Sequence, residues 1–224
     1  MSIIAAHGLT MVECTEVDAL IRKCLSDLDE RFEKNELAYL SLTSKVELPL
    51  RDRMAFRLHM ALSLRGLMVA REWKAGGGAR IDLAILRDGE PLVLMEFKAM
   101  YTFDGTLIRK TPTIFPELEL MSDLVKLRRV AKQATALYLV LFATHPVQPL
   151  SDRCQGVAKY VERVNRAFRT YDTAEQILGT CRNRIEAFLS SNQLHPSMYG
   201  VLVAGNCLDA QVEIPFWLVG PLTR

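Results

Sequence analysis

The sequence predicts an α/β fold with a mixed central β-sheet flanked by helices, and three features point to it. Helical periodicity dominates residues 15–64, short apolar runs bounded by turn residues crowd 67–99, and a further helix-then-strand pair covers 117–143. Half of the 224 residues are hydrophobic and 24% are charged. That is enough apolar material for a substantial core, so 1–224 reads as a single domain.

In residues 15–40, Val17, Leu20, Ile21, Cys24 and Leu28 recur at helical spacing, which makes 1–43 an N-terminal helical packing segment. A second helix is expected over 44–64, with Leu50, Met54, Leu58, Ala61 and Leu62 on its inner stripe. Ser44 and Glu47 have the Ser-x-x-Glu spacing of a capping box. Pro49 also permits a start near Leu48, with the proline in the first helical position.

Three strands follow, at 67–73, 80–87 (RIDLAILR) and 91–99 (PLVLMEFKA). Gly76-Gly77-Gly78 gives a flexible first turn, and Asp88-Gly89 marks a tight hairpin. The second and third runs are almost continuously apolar, as in strands covered on both faces. A Thr- and Pro-rich loop then leads into a helix over 117–135, with Leu120, Leu124, Leu127, Ala131 and Ala134 inward. A buried strand is expected at 137–143 (LYLVLFA). Helices at 156–169 and 173–190 form an addition spanning 151–195, and strands at 199–204 and 212–219 occupy the terminal segment 196–224.

A net charge of +2 neither demands nor excludes nucleic acid. The five cysteines, at 14, 24, 154, 181 and 207, form no CxxC pair, and the four histidines do not cluster with them. Neither a structural zinc site nor a disulfide framework is expected, and scattered cysteines fit a reducing compartment. No signal peptide is read at the start, and the longest apolar run, 136–143, is too short to cross a bilayer, so the expected location is cytoplasmic.

Against such apolar strands, the charged residues Asp82, Glu96 and Lys98 stand out. Two residues apart on a strand, Glu96 and Lys98 project from one face, and a hairpin at Asp88-Gly89 sets Asp82 roughly opposite Glu96. Buried charges are costly unless they pair or bind a metal. Taken alone, a salt bridge among the three would explain them. In context they suit a magnesium site, in which Asp82, Glu96 and the carbonyl of Phe97 supply oxygen ligands. Lys98 is then placed to assist an attacking water or to stabilise charge on phosphate oxygens.

Asp82, thirteen intervening residues and then Glu96-Phe97-Lys98 resemble the motif of the PD-(D/E)XK nuclease superfamily, the restriction-endonuclease-like fold. The resemblance covers residues 44–143 and implies an α-β-β-β-α-β catalytic core with C-terminal additions. It implies a Mg2+- or Mn2+-dependent nuclease with Lys98 as the catalytic lysine and Glu47, on the upstream helix, as a further metal-binding and catalytic residue. Ile81 stands where the motif's name has Pro.

The expected partner is nucleic acid, DNA before RNA, and a nuclease that cuts both strands often works as a homodimer. Basic residues at helical spacing, Lys126 with Arg129 and Lys159 with Arg163 and Arg166, are candidates for tracking phosphates, although such faces are also often merely solvated. Two other functions suit the same pattern. One is a catalytically silent protein of this fold that binds nucleic acid or a protein partner; the other is a phosphoesterase for small nucleotides.

Overall fold

Asp88 and Gly89 adopt positive φ, 51° and 81°, the backbone of a two-residue hairpin turn. They join β2 (Arg80–Arg87) to β3 (Glu90–Tyr101), with Arg87 paired to Glu90. The computed structural model, which describes residues 11–106, 115–133 and 135–223, builds a mixed sheet outward from this hairpin. On one side lies β1 (Met68–Lys74); on the other, β4 (Ala136–Pro146) runs parallel to β3. A second hairpin, β5 (Pro196–Cys207) with β6 (Ala210–Leu222), adds to β4 and gives the order β1-β2-β3-β4-β6-β5.

Seven helices are described. They are α1 (Met11–Ser26), α2 (Glu36–Thr43), α3 (Glu47–Leu62), the short α4 (Thr102–Thr106), α5 (Phe115–Val130), α6 (Val161–Thr170) and α7 (Ala174–Ser191). The order α3-β1-β2-β3-α5-β4 follows the expected core, with α4 intervening. Residues 1–10, 107–114, Ala134 and Arg224 fall outside the described residues, and with them the expected N-terminal start, part of the expected Thr/Pro-rich loop and one expected inward position of the helix. That helix ends at Val130, five residues before the expected end.

Alternation on β2 to β4 divides the core into two layers. Leu83, Ile85, Met95, Phe97, Val140 and Phe142 face α1, α2, α3 and α6. Ala84, Leu94, Leu139, Leu141 and Trp217 face α5 and α7, where Leu120, Leu124, Leu127 and Ala131 are buried as expected. On α3 the buried stripe is Leu50, Met54, Ala55, Leu58 and Leu62; Ala61, expected inward, is exposed. Among the described residues no helix is long and apolar enough to cross a membrane.

The end of β3 is fixed from two sides. Tyr101 donates its hydroxyl to the Ser41 carbonyl at 2.6 Å. Immediately after it, α4 packs so closely on α7 that a Cβ at Gly105 would lie 2.6 Å from Cys181 Sγ. Beside this end His145, 2% exposed, sets Nδ1 3.0 Å from the Thr102 hydroxyl.

Burial pushes the His145 imidazole down to about 4. Between its ordinary value near 6.5 and that lower value, the unfolded chain binds a proton that the folded chain refuses. Stability from the neutral ring is therefore complete above about pH 6.5 and is lost as pH falls toward about 4, by roughly 3 kcal/mol. Urea unfolding of His145→Gln and the parent should show the parent losing about 2–3 kcal/mol more between neutral pH and about pH 4.5. An identical pH dependence in both would contradict this account.

Candidate active site

The ladder between β2 and β3 stops at the Leu83–Met95 pair. Beyond it β2 stays with β1 as far as Arg80, while β3 stays with β4 as far as Tyr101. The two strands part into a fork, and backbone donors on the open edge of β3 need new acceptors. Asp82 Oδ2 accepts from the Phe97 N–H at 2.9 Å, and Glu47 Oε2 accepts from the Ala99 N–H at 3.2 Å. The hydrogen-bonding demand of the strand thus draws two carboxylates to one place.

Extending the last β2–β3 register by one residue sets Asp82 opposite Glu96, as the hairpin implies. Glu96 is 2% exposed; Oε2 receives the Lys126 ammonium at 2.7 Å, and Oε1 has no hydrogen-bond partner. Burial, and then repulsion from Asp82, pushes the Glu96 carboxyl up to about 8 against the pull of Lys126. Lys98 shares the Glu96 face. Its Nζ lies 3.1 Å from Asp123 Oδ2 and 3.4 Å from Glu119 Oε2 on α5. Burial alone would lower the Lys98 pKa, but Asp123, Glu47 and Glu119 reverse the shift and hold the ammonium charged.

From the other side α3 presents Glu47 and Arg51, four residues apart and hence on one helix face. The expected capping box does not form. Ser44 ends α2 with its hydroxyl donating to the Leu40 carbonyl at 2.7 Å, and Val46 precedes α3. Glu47 is left to serve the fork. Burial raises its carboxyl pKa, Lys98 opposes that and Asp82 adds to it. Arg51 is buried, ion-paired to Glu72 and Asp52, with its guanidinium 3.7 Å from Asp82 Oδ1.

Asp82, Glu96, Lys98, Glu47 and the backbone of Phe97 therefore come together, while the basic residues separate. Lys126, expected to track phosphates from a solvated face, turns inward instead, because buried Glu96 needs a counter-charge. Arg129 is exposed and borders a groove with Trp73, Gly89 and Lys132 beside the β2–β3 hairpin. Lys159 lies before α6 and not on it; with Arg163 it lines a cavity beside Ala99. Arg166 is exposed, 3.7 Å from Glu162. Arg51, Glu119 and Asp123 were not anticipated. The last two share a helix face with Lys126, a signal that was visible at spacings of four and three.

Among the described residues no group of three His, Cys, Asp or Glu side chains forms a metal cage. Magnesium needs only one or two protein carboxylates and keeps several waters. Asp82, Glu96 and the Phe97 carbonyl make an all-oxygen set. Backbone N–H and C=O of one strand residue point to the same side, so the Phe97 carbonyl shares the direction of the N–H that Asp82 accepts. The buried, partnerless Glu96 Oε1 adds an acceptor that a hard cation would satisfy, and the donor set fits such an ion. No protein-family model, curated protein or solved structure matches the chain.

The fork predicts different costs for two changes at Asp82. Asp82→Ala strips the Phe97 N–H of its acceptor and should cost about 1–3 kcal/mol in urea unfolding without metal. Asp82→Asn keeps an oxygen acceptor and relieves repulsion on Glu96, so it should stay within about 1 kcal/mol of the parent. Equal losses in the two variants would count against the role given to this hydrogen bond.

Proposed function

We propose that this chain is a divalent-metal-dependent nuclease of the PD-(D/E)XK type, hydrolysing phosphodiester bonds in nucleic acid, with DNA as the first substrate to test. The observation that carries the reading is Glu96. It is a buried carboxylate with a partnerless oxygen, opposite a second carboxylate, and on the same strand face as a charged lysine. Asp82 and Glu96 would hold Mg2+ or Mn2+ with the Phe97 carbonyl, and Glu47 is the further acidic group at the site. When bound, the ion supplies a lowered pKa for its water and neutralisation of phosphate charge.

The side chains have separable tasks. Lys98 donates hydrogen bonds toward the attacking water or toward negative charge growing on phosphate oxygens. Asp123 and Glu119 position that ammonium and keep it protonated. Arg51 orients Asp82 from the α3 side, and the Phe97 N–H fixes its other oxygen.

The Lys126–Glu96 ion pair favours a second reading, a protein of this fold that binds nucleic acid without cleaving it. There the lysine would neutralise Glu96 permanently. Plasmid, single-stranded DNA, RNA and mononucleotides incubated with Mg2+ or Mn2+ separate the readings, mononucleotides testing the small-substrate phosphoesterase. Cleavage that chelation stops is expected, with Asp82→Asn, Glu96→Gln and Lys98→Ala each slower by about a hundredfold or more while circular dichroism stays unchanged. Undiminished cleavage by Lys98→Ala or Asp82→Asn would overturn the assignment; binding of nucleic acid with no cleavage would favour the second reading.

A further inference from the structure

Next to the fork lies a cavity of about 240 Å3, lined by Lys45, Lys159, Arg163, Tyr101 and Tyr160 among others. It adjoins the candidate centre twice. Ala99, whose N–H Glu47 accepts, forms part of its wall, and Lys45 stands two residues before Glu47. The segment carrying the other cations is held in place by the Lys159 N–H, which donates to the Leu42 carbonyl at 2.7 Å.

The cations of this cavity outnumber its lining carboxylates three to one. Lys45, Lys159 and Arg163 make no ion pair among the described residues, whereas Lys98, Lys126, Arg51 and Arg166 are all paired. The one acidic lining residue, Asp104, accepts from the Tyr101 N–H at 3.1 Å. Tyr160, 47% exposed, stands edge-on to Tyr101 at 5.3 Å between ring centroids, and the Arg163 guanidinium lies 5.4 Å from its ring.

Three cations around one cavity, against a single lining carboxylate, repel each other, and a further anion relieves that repulsion. A phosphate monoester carries close to two negative charges and three acceptor oxygens, against one charge on a phosphodiester. An aromatic ring at the rim offers a face for a base. Met100 and Thr144 of the sheet, both buried, also line the cavity.

We propose that this cavity receives the phosphorylated end of a nucleic-acid strand, so that hydrolysis in the adjoining centre is directed to termini bearing a phosphate monoester; the second clause rests on the nuclease reading. Lys45, Lys159 and Arg163 hold the phosphate, and Tyr160 carries the terminal base or sugar.

The test uses the full chain in chelator, where no cleavage occurs. Fluorescence anisotropy compares single-stranded oligonucleotides of one sequence carrying a 5′-phosphate, a 3′-phosphate or hydroxyls at both ends. One phosphorylated form should bind about tenfold more tightly than the hydroxyl form. Lys159→Ala with Arg163→Ala should erase that advantage, so that phosphorylated and hydroxyl-ended strands bind the variant equally; Lys45→Ala, on a separate segment of the lining, should reduce the advantage independently. Equal binding of all three ends by the parent, or an advantage that survives in these variants, would overturn the proposal. A chain that discriminates ends but never cleaves keeps the cavity and loses the nuclease reading. A chain that cleaves without discriminating loses only the cavity.

Discussion

Two neighbouring strands that separate midway leave donors on one of them without acceptors, and here those donors are the N–H groups of Phe97 and Ala99. Sheet pairing holds β3 on its β4 side from Val93 to Tyr101, so the open side cannot close by shifting the strand. Carboxylates from β2 and α3 fill the gap. The fork therefore explains both why Asp82 and Glu47 sit where they do and why the Phe97 backbone faces them. A structural requirement of the sheet and the arrangement of a candidate active centre have the same cause.

The electrostatics follow from that gathering. Glu96 lies behind the fork and is buried, so Asp82 and the loss of water both disfavour its charge. Lys126, Lys98 and Arg51 answer the carboxylates, yet one oxygen of Glu96 still lacks a partner. Glu119 and Asp123 in turn hold Lys98. Asp82 and Glu96 would hold a small divalent ion in such a network, and its charge would offset their mutual repulsion.

Much of this could be read from the residues. Asp88-Gly89 fixed the hairpin, and the hairpin set Asp82 against Glu96; the leucines of α5 identified its buried face. What escaped prediction depended on contacts distant in sequence. Ser44 and Glu47 have capping-box spacing, but Ser44 is needed at the end of α2 and Glu47 by the Ala99 N–H, neither of which local spacing reveals. Lys126 looked like a solvated cation because its partner, Glu96, lies thirty residues earlier on a different element. Arg51 was passed over for the same reason, its partners Glu72 and Asp82 lying across the fork. Lys159 and Arg163 were picked out by helical spacing, yet they share a cavity although only one of them lies on a helix.

Whether Asp82 and Glu96 together form a divalent-metal site is tested most directly by a Mn2+ titration followed by electron paramagnetic resonance at about neutral to mildly alkaline pH. The parent should bind one ion per chain, and Asp82→Asn and Glu96→Gln should each weaken that binding by about tenfold or more, with unfolding showing both variants still folded. Mn2+ binding of unchanged affinity in the two variants would contradict the account.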